Sequence, residues 1–219
     1  MTNPPDTTGD TRSAPVPIRV GIVVFDTVDL LDVGGPYEVL LTANRLVERA
    51  GGPPPLAIET VAVGDGSITA YGGLGLGAST SMADADGFDV LVVPGTIDVD
   101  AVIADRAVMA DIEQLAQTTP LVTTVCTGAV ILAAAGHLDT VARATTHHED
   151  VAVLAESIGP RAVTARWVDA GDIITSGGLS SGIAMALHLV ERLVDRDLAV
   201  ATAAQIAYEW DPADGIVTA

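Results

Sequence analysis

The chain has 219 residues and a mass of 22.2 kDa, enough for one sizeable core. Its formal net charge is −19, from 29 acidic and 10 basic residues, all of the latter arginine; phosphate binding needs a basic patch, so nucleic acid is not an expected partner. Hydrophobic residues make up 49%, yet no apolar run reaches the roughly 18–20 residues that cross a bilayer, and one cysteine cannot close an internal disulfide, so a cytoplasmic protein is expected.

Residues 1–17 are polar and rich in Pro and Thr, and read as a disordered tail without the apolar stretch of a signal peptide. From 18 onward strand and helix patterns alternate. "IRVGIVVF" (18–25) is a buried strand, and "GPYEVLLTANRLVERA" (35–50) a helix with Pro36 near its first turn and glycines beyond its end. "LAIETVAVG" is the next strand. "SITAYGGLGLGASTSM" (67–82) reads as a β-hairpin rather than a phosphate loop, since it precedes no helix and lacks a lysine. "FDVLVVPG" (88–95) is a buried strand, 98–118 hold one or two helices, and "PLVTTV" (120–125) is another strand. "TGAVILAAAG" (127–136) is a helix stopped by Gly136. A short strand near 142–145, a helix over about 148–157, two strand segments in 162–178 joined at Ala170-Gly171-Asp172, and helices over about 180–194 and 197–208 complete the domain. Residues 209–219 read as a C-terminal tail. The alternation predicts an α/β domain over 18–208, with a mostly parallel sheet between two helical layers.

Such sheets carry functional groups at the carboxyl ends of their strands. Cys126 stands there, between a strand and a helix, where helical N–H groups favour the thiolate and should make the thiol more acidic than a free one. A small buried hydrophobe is the other role open to it. Asp26, Asp29 and Asp32 follow the first strand. Asp32, among Leu31, Val33 and Gly34, is the one placed for desolvation; beside a thiolate it would hold a proton for delivery, or else it caps the helix. Asp26 and Asp29 read as solvated loop residues. His147, His148 and Glu149 suggest a metal site only superficially, because a helical run cannot aim three successive side chains at one ion; no metal is expected.

"VCTGAVILAAAGHLDTVARATTHHED" (125–150), "LLDVGGPYEVLLTAN" (30–44), "DVLVVPG" (89–95) and "DAGDIITSGGLSSGIAMALHLVE" (169–191) together resemble the ThiJ/PfpI superfamily, which has a class I glutamine-amidotransferase-like, flavodoxin-like fold. Within it the chain is most similar to the branch of isocyanide (isonitrile) hydratases and the sensor domains of AraC-type regulators. The resemblance implies that Cys126 is the elbow nucleophile, Asp32 the acid that hydrogen-bonds its sulfur, and Thr127 the hydratase threonine beside it. It also implies that the backbone N–H groups of Gly95 and Thr96 line the site and that His147 is an auxiliary residue. The chain departs from the hydratase pattern at Gly34, where threonine is usual, at Thr96, where glycine is usual, and at His148, where tryptophan is usual. Thr127 stands where protease-like members have histidine, which disfavours a peptidase.

The resemblance thus implies a cofactor-free lyase acting on a small isocyanide-like molecule, in a homodimer. Two alternatives stay open. One is another cysteine-dependent amidase, peptidase or carbonyl-repair hydrolase, which needs His147 as a competent partner. The other is a small-molecule sensor; a full regulator would need a DNA-binding extension, which is not expected from a chain whose last helix lies so near Ala219.

Overall fold

The computed structural model describes residues 16–64 and 68–218; the expected N-terminal tail lies almost wholly outside them. One sheet of eight strands forms the centre, in the order β3-β2-β1-β4-β5-β7-β6-β8. Its middle is built by β1 (Ile18–Val24), β4 (Val90–Val93) and β5 (Leu121–Val125), flanked by β2 (Leu56–Ala62) and β7 (Ile173–Ser176). These pairings are all parallel, and β4 and β5 are buried along their whole length, which accounts for their unbroken apolar or threonine-rich runs. On one face α1 (Leu30–Arg49), α6 (Ser181–Leu193) and α7 (Arg196–Gln205) pack against one another. On the other lie α2 (Val99–Ala104), α3 (Arg106–Thr118), α4 (Gly128–Ala134) and α5 (Val151–Ile158). This is the expected three-layer α/β sandwich.

The chain leaves β1 for β2 on one side of the sheet and returns to β4 on the other. The crevice between the ends of β1 and β4 is therefore a topological switch point, where open parallel sheets place their ligands.

Several expected boundaries move, each for a physical reason. The first helix begins at Leu30, five residues early, because Asp29 caps it: its carboxylate accepts from Leu31 N at 3.0 Å. Asp29 is thus no solvated loop residue, Asp32 is not the cap, and Pro36 lies inside the helix. The hairpin expected over 67–82 shrinks to one antiparallel bridge, Thr69↔Gly75, turning through Gly72 and Gly73; Thr80–Ser81 forms β3, which instead runs parallel to β2. The strand near 142–145 is a single bridge, Ala144↔Ala162. The helix expected from 148 starts at Val151, leaving 148–150 as a turn.

At the far edge β6 (Trp167–Asp169) runs antiparallel to β7 about the Gly171 turn, as expected. The stretch read as a C-terminal tail supplies β8 (Ile216–Val217), parallel to β6, and Thr218 N donates to Asp169 O at 2.8 Å. Two residues are too short a strand to be legible from a sequence period. The same corner buries Asp169, which accepts from His188 Nε2 at 2.8 Å and from Arg192 Nη1 at 3.0 Å, with the His188 ring stacked on Trp167.

Candidate active site

Cys126 directly follows β5 in the left-handed region, at φ 58°, a conformation that costs a non-glycine residue about 1–2 kcal/mol. Neighbours hold it there. Its N–H donates to Gly177 O at 3.2 Å, and its carbonyl accepts from Thr146 Oγ1 at 2.8 Å. The next turn is equally constrained: any Cβ on Gly128 would overlap the Val93 carbonyl, so only glycine lets α4 start so close to β4. Thr27 and Leu179, at φ 68° and 51°, add two more left-handed residues around the same crevice. Strain gathered at one place is a mark of a functional site.

Asp32, on the first turn of α1, is fully buried. Its Oδ2 accepts from Gly95 N at 3.0 Å, while Oδ1 has no partner of good geometry. The Cys126 thiol and the Leu179 N–H lie close enough to lower the carboxyl pKa in part. Burial, helped by repulsion from Asp29, outweighs them and pushes Asp32 from its ordinary 3.8 up to about 7. Burial, then repulsion from Asp32, pushes the Cys126 thiol up to about 12, although the Thr127 N–H pulls the other way. The expectation of an unusually acidic thiol is therefore overturned in direction: α4 is one short helix, and its pull is smaller than the cost of a second anion in a dry corner. The two groups together retain one proton between about pH 7 and about 12.

Thr127 is tied to Thr96 twice, accepting from Thr96 N at 2.9 Å and donating to Thr96 O at 2.7 Å. The Thr96 hydroxyl turns away and donates to Thr27 O at 2.7 Å. These bonds correct the expected role of Gly95 and Thr96. Both backbone N–H groups are already spent, on Asp32 and on Thr127, so they position those side chains instead of offering free donors to a ligand. Gly95 must be glycine for this, since a Cβ would come 2.5 Å from Thr127 Oγ1.

A cavity of about 200 Å³ opens over the sulfur, lined by Asp29, Thr96, Ile97, Cys126, Thr127, His147, Glu149, Asp150 and Leu179. It suits a small molecule. His147 reaches this cavity, and its Nδ1 accepts from Glu149 N at 3.4 Å and faces Asp150 Oδ2 at 3.5 Å and Glu149 Oε2 at 3.8 Å. Because 148–150 form a turn and not a helix, the donor atoms of His147, His148 and Glu149 come within 4.8 Å of one another; the geometric argument against their convergence fails. Sequence reasoning missed Thr146, Leu179, Ile97 and the wall formed by Asp29. Only "ATTH" and the Leu between paired Gly and Ser residues hinted at the first two.

The DJ-1/PfpI family matches residues 18–192. Isonitrile hydratase from Pseudomonas putida is 33% identical over 197 residues, 89% of this chain and 80% of that enzyme. The HTH-type transcriptional regulator GbdR from Pseudomonas aeruginosa is 26% identical over 195 residues, 88% of this chain but 51% of the regulator. In fold, a ThiJ/PfpI family protein from Pseudomonas syringae superposes with a TM-score of 0.76 at 24% identity, covering 96% of this chain and 84% of its own. With the parallel sheet, the strained elbow at Cys126 and a family match across most of the domain, the chain belongs to the DJ-1/PfpI family.

Proposed function

We propose that this protein is an isonitrile hydratase-like hydro-lyase that converts isocyanides to N-formamides through a thioimidate on Cys126. The observation that carries the reading is the buried Cys126–Asp32 pair, which keeps one proton at neutral pH beside a cavity of small-molecule size. The likeness to isonitrile hydratase over most of both chains supports the choice of substrate.

The isocyanide carbon accepts the sulfur as Asp32 takes the thiol proton and delivers it to that carbon, giving R–N=CH–S–Cys126. Asp32 then takes a proton from water as the water oxygen adds to the same carbon, and passes it to the nitrogen, giving R–NH–CH(OH)–S–Cys126. The C–S bond breaks as the hydroxyl proton passes by way of Asp32 to sulfur, and R–NH–CHO leaves. No electrons are gained or lost overall. The Thr127 N–H, directed at the sulfur, stabilises charge there, while its hydroxyl is occupied in holding the loop after β4. His147 lines the cavity, and no proton in this sequence passes through it.

The same reading places turnover in the cytoplasm, where a reducing milieu keeps a lone thiol free. It also makes the protein a homodimer, with the exposed Leu30, Leu31 and Tyr37 of α1 as the apolar face that a second copy covers. Incubation with a panel of alkyl and aryl isocyanides, with formamide detection, tests the activity. Formamide from wild type supports it; no formamide from any member refutes it. The GbdR likeness favours one second reading, a sensor that binds such a molecule without turnover, and that reading predicts saturable binding in the same panel with no product.

A further inference from the structure

The turn between His147 and Asp150 brings together a set of donors that the proposed isocyanide chemistry does not use. His147 Nδ1 accepts a long hydrogen bond from Glu149 N at 3.4 Å, which a bound ion would displace, and lies 3.5 Å from Asp150 Oδ2 and 3.8 Å from Glu149 Oε2. One donor atom from each of His147, His148 and Glu149 lies within 4.8 Å of the others. Metal–ligand bonds of about 2.0–2.2 Å set the donors around one tetrahedral ion about 3.3–3.6 Å apart, so the carboxylates already stand near ligand spacing from His147. The His147 ring is held by its packing on Gly178, where any Cβ would overlap it, so the first donor is pre-positioned. His148 and Glu149 are exposed and free to close by rotamer changes, and the two imidazole rings already lie 4.3 Å apart at 44°.

We infer that His147, His148 and Glu149 form a binding site for one divalent transition cation of the Zn²⁺ or Ni²⁺ type, at the mouth of the cavity that contains Cys126. Asp150 supplies a second carboxylate beside it. The paired imidazoles set the metal class. A chain of net charge −19 attracts any cation to its surface, but neutral imidazole favours Zn²⁺, Ni²⁺ and Cu²⁺ over the hard Mg²⁺ and Ca²⁺. Since His147 and Glu149 also line the cavity, a bound ion stands between solvent and the sulfur. The site stands whether or not the protein hydrates isocyanides.

The test is calorimetric titration of the chelator-treated full-length protein with Zn²⁺ alone. Wild type should bind one ion per chain at micromolar concentration, and Mg²⁺ should not compete at a hundredfold excess. His148→Ala and Glu149→Gln should each weaken binding by about tenfold or more, while Cys126→Ser should leave it within about twofold. Thermal melts of the variants check the fold, and both substituted side chains are exposed. Co²⁺ should give visible ligand-field bands without the sulfur charge-transfer band of a thiolate ligand. Zn²⁺ should also slow iodoacetamide alkylation of Cys126 in wild type and not in His148→Ala. No saturable binding, equal binding by both folded variants, or binding lost with Cys126→Ser would each overturn the inference; the last would put the ion on the thiol. Unchanged alkylation in the presence of bound Zn²⁺ would overturn its placement at the cavity mouth.

Discussion

Replacing Asp32 with asparagine should damage turnover and stabilise the protein at the same time. The folded pKa of about 7, against an ordinary 3.8, means that below pH 3.8 the carboxyl is protonated in both states. As pH rises from there to about 7, the unfolded chain loses a proton that the folded one keeps, so stability falls; above about 7 the penalty is constant. A gap of about 3 units at 1.36 kcal/mol each amounts to about 4 kcal/mol. Asparagine escapes this ionic cost but turns an N–H₂ toward the Leu179 N–H and the thiol, where a carboxylate oxygen was suited, losing about 1–3 kcal/mol. The net expectation at pH 8 is a gain of about 1–3 kcal/mol, or a few degrees in Tm. Turnover should fall by about 10²–10⁴-fold, because the amide cannot carry the proton from sulfur to carbon. Urea unfolding of both proteins from pH 4 to pH 8, with steady-state rates on an isocyanide, makes the measurement. A stability difference that does not grow across that range would refute the assigned ionisation, and near-normal turnover would remove Asp32 from the chemistry.

Cys126→Ser should abolish formamide production while leaving the melting temperature near that of wild type, since a serine alkoxide is out of reach at neutral pH; wild-type turnover by this variant would exclude covalent catalysis. The kcat/KM of wild type should rise about tenfold per pH unit below about 7 and then level off, because the doubly protonated pair lacks a base for the thiol proton; a profile flat from pH 5 to pH 9 would contradict it. In Asp32→Asn the thiol pKa should drop below its wild-type value, as the repulsion from Asp32 is removed; ultraviolet titration of the thiolate reads this directly, and a rise would reverse the argument. Gly95→Ala should lose both stability and turnover, since its Cβ would stand 2.5 Å from Thr127 Oγ1 and 3.0 Å from Asp32 Oδ2; an active, equally stable variant would show that the loop after β4 does not set the site.

What could be read from the sequence alone was whatever depends on neighbours in the chain. Apolar and β-branched runs announce β1, β4 and β5 because buried strands need no alternating polar side, and Gly136 ends α4 because a left-handed residue ends a helix cheaply. Cys126 was legible as an elbow because strand-formers and helix-formers meet at it. Even locally, competing signals misled: Pro36 suggested a helix start that the Asp29 cap had already supplied. Tertiary structure decided the rest. It brought Asp32 and Cys126, 94 positions apart, into one dry corner, and so reversed the expected direction of the thiol pKa. It spent the Gly95 and Thr96 N–H groups on Asp32 and Thr127, and it folded residues 148–150 into a turn that gathers imidazole and carboxylate donors. Dehydration, hydrogen-bond partnership and donor convergence depend on which segments share a volume, and no local pattern of residues encodes that.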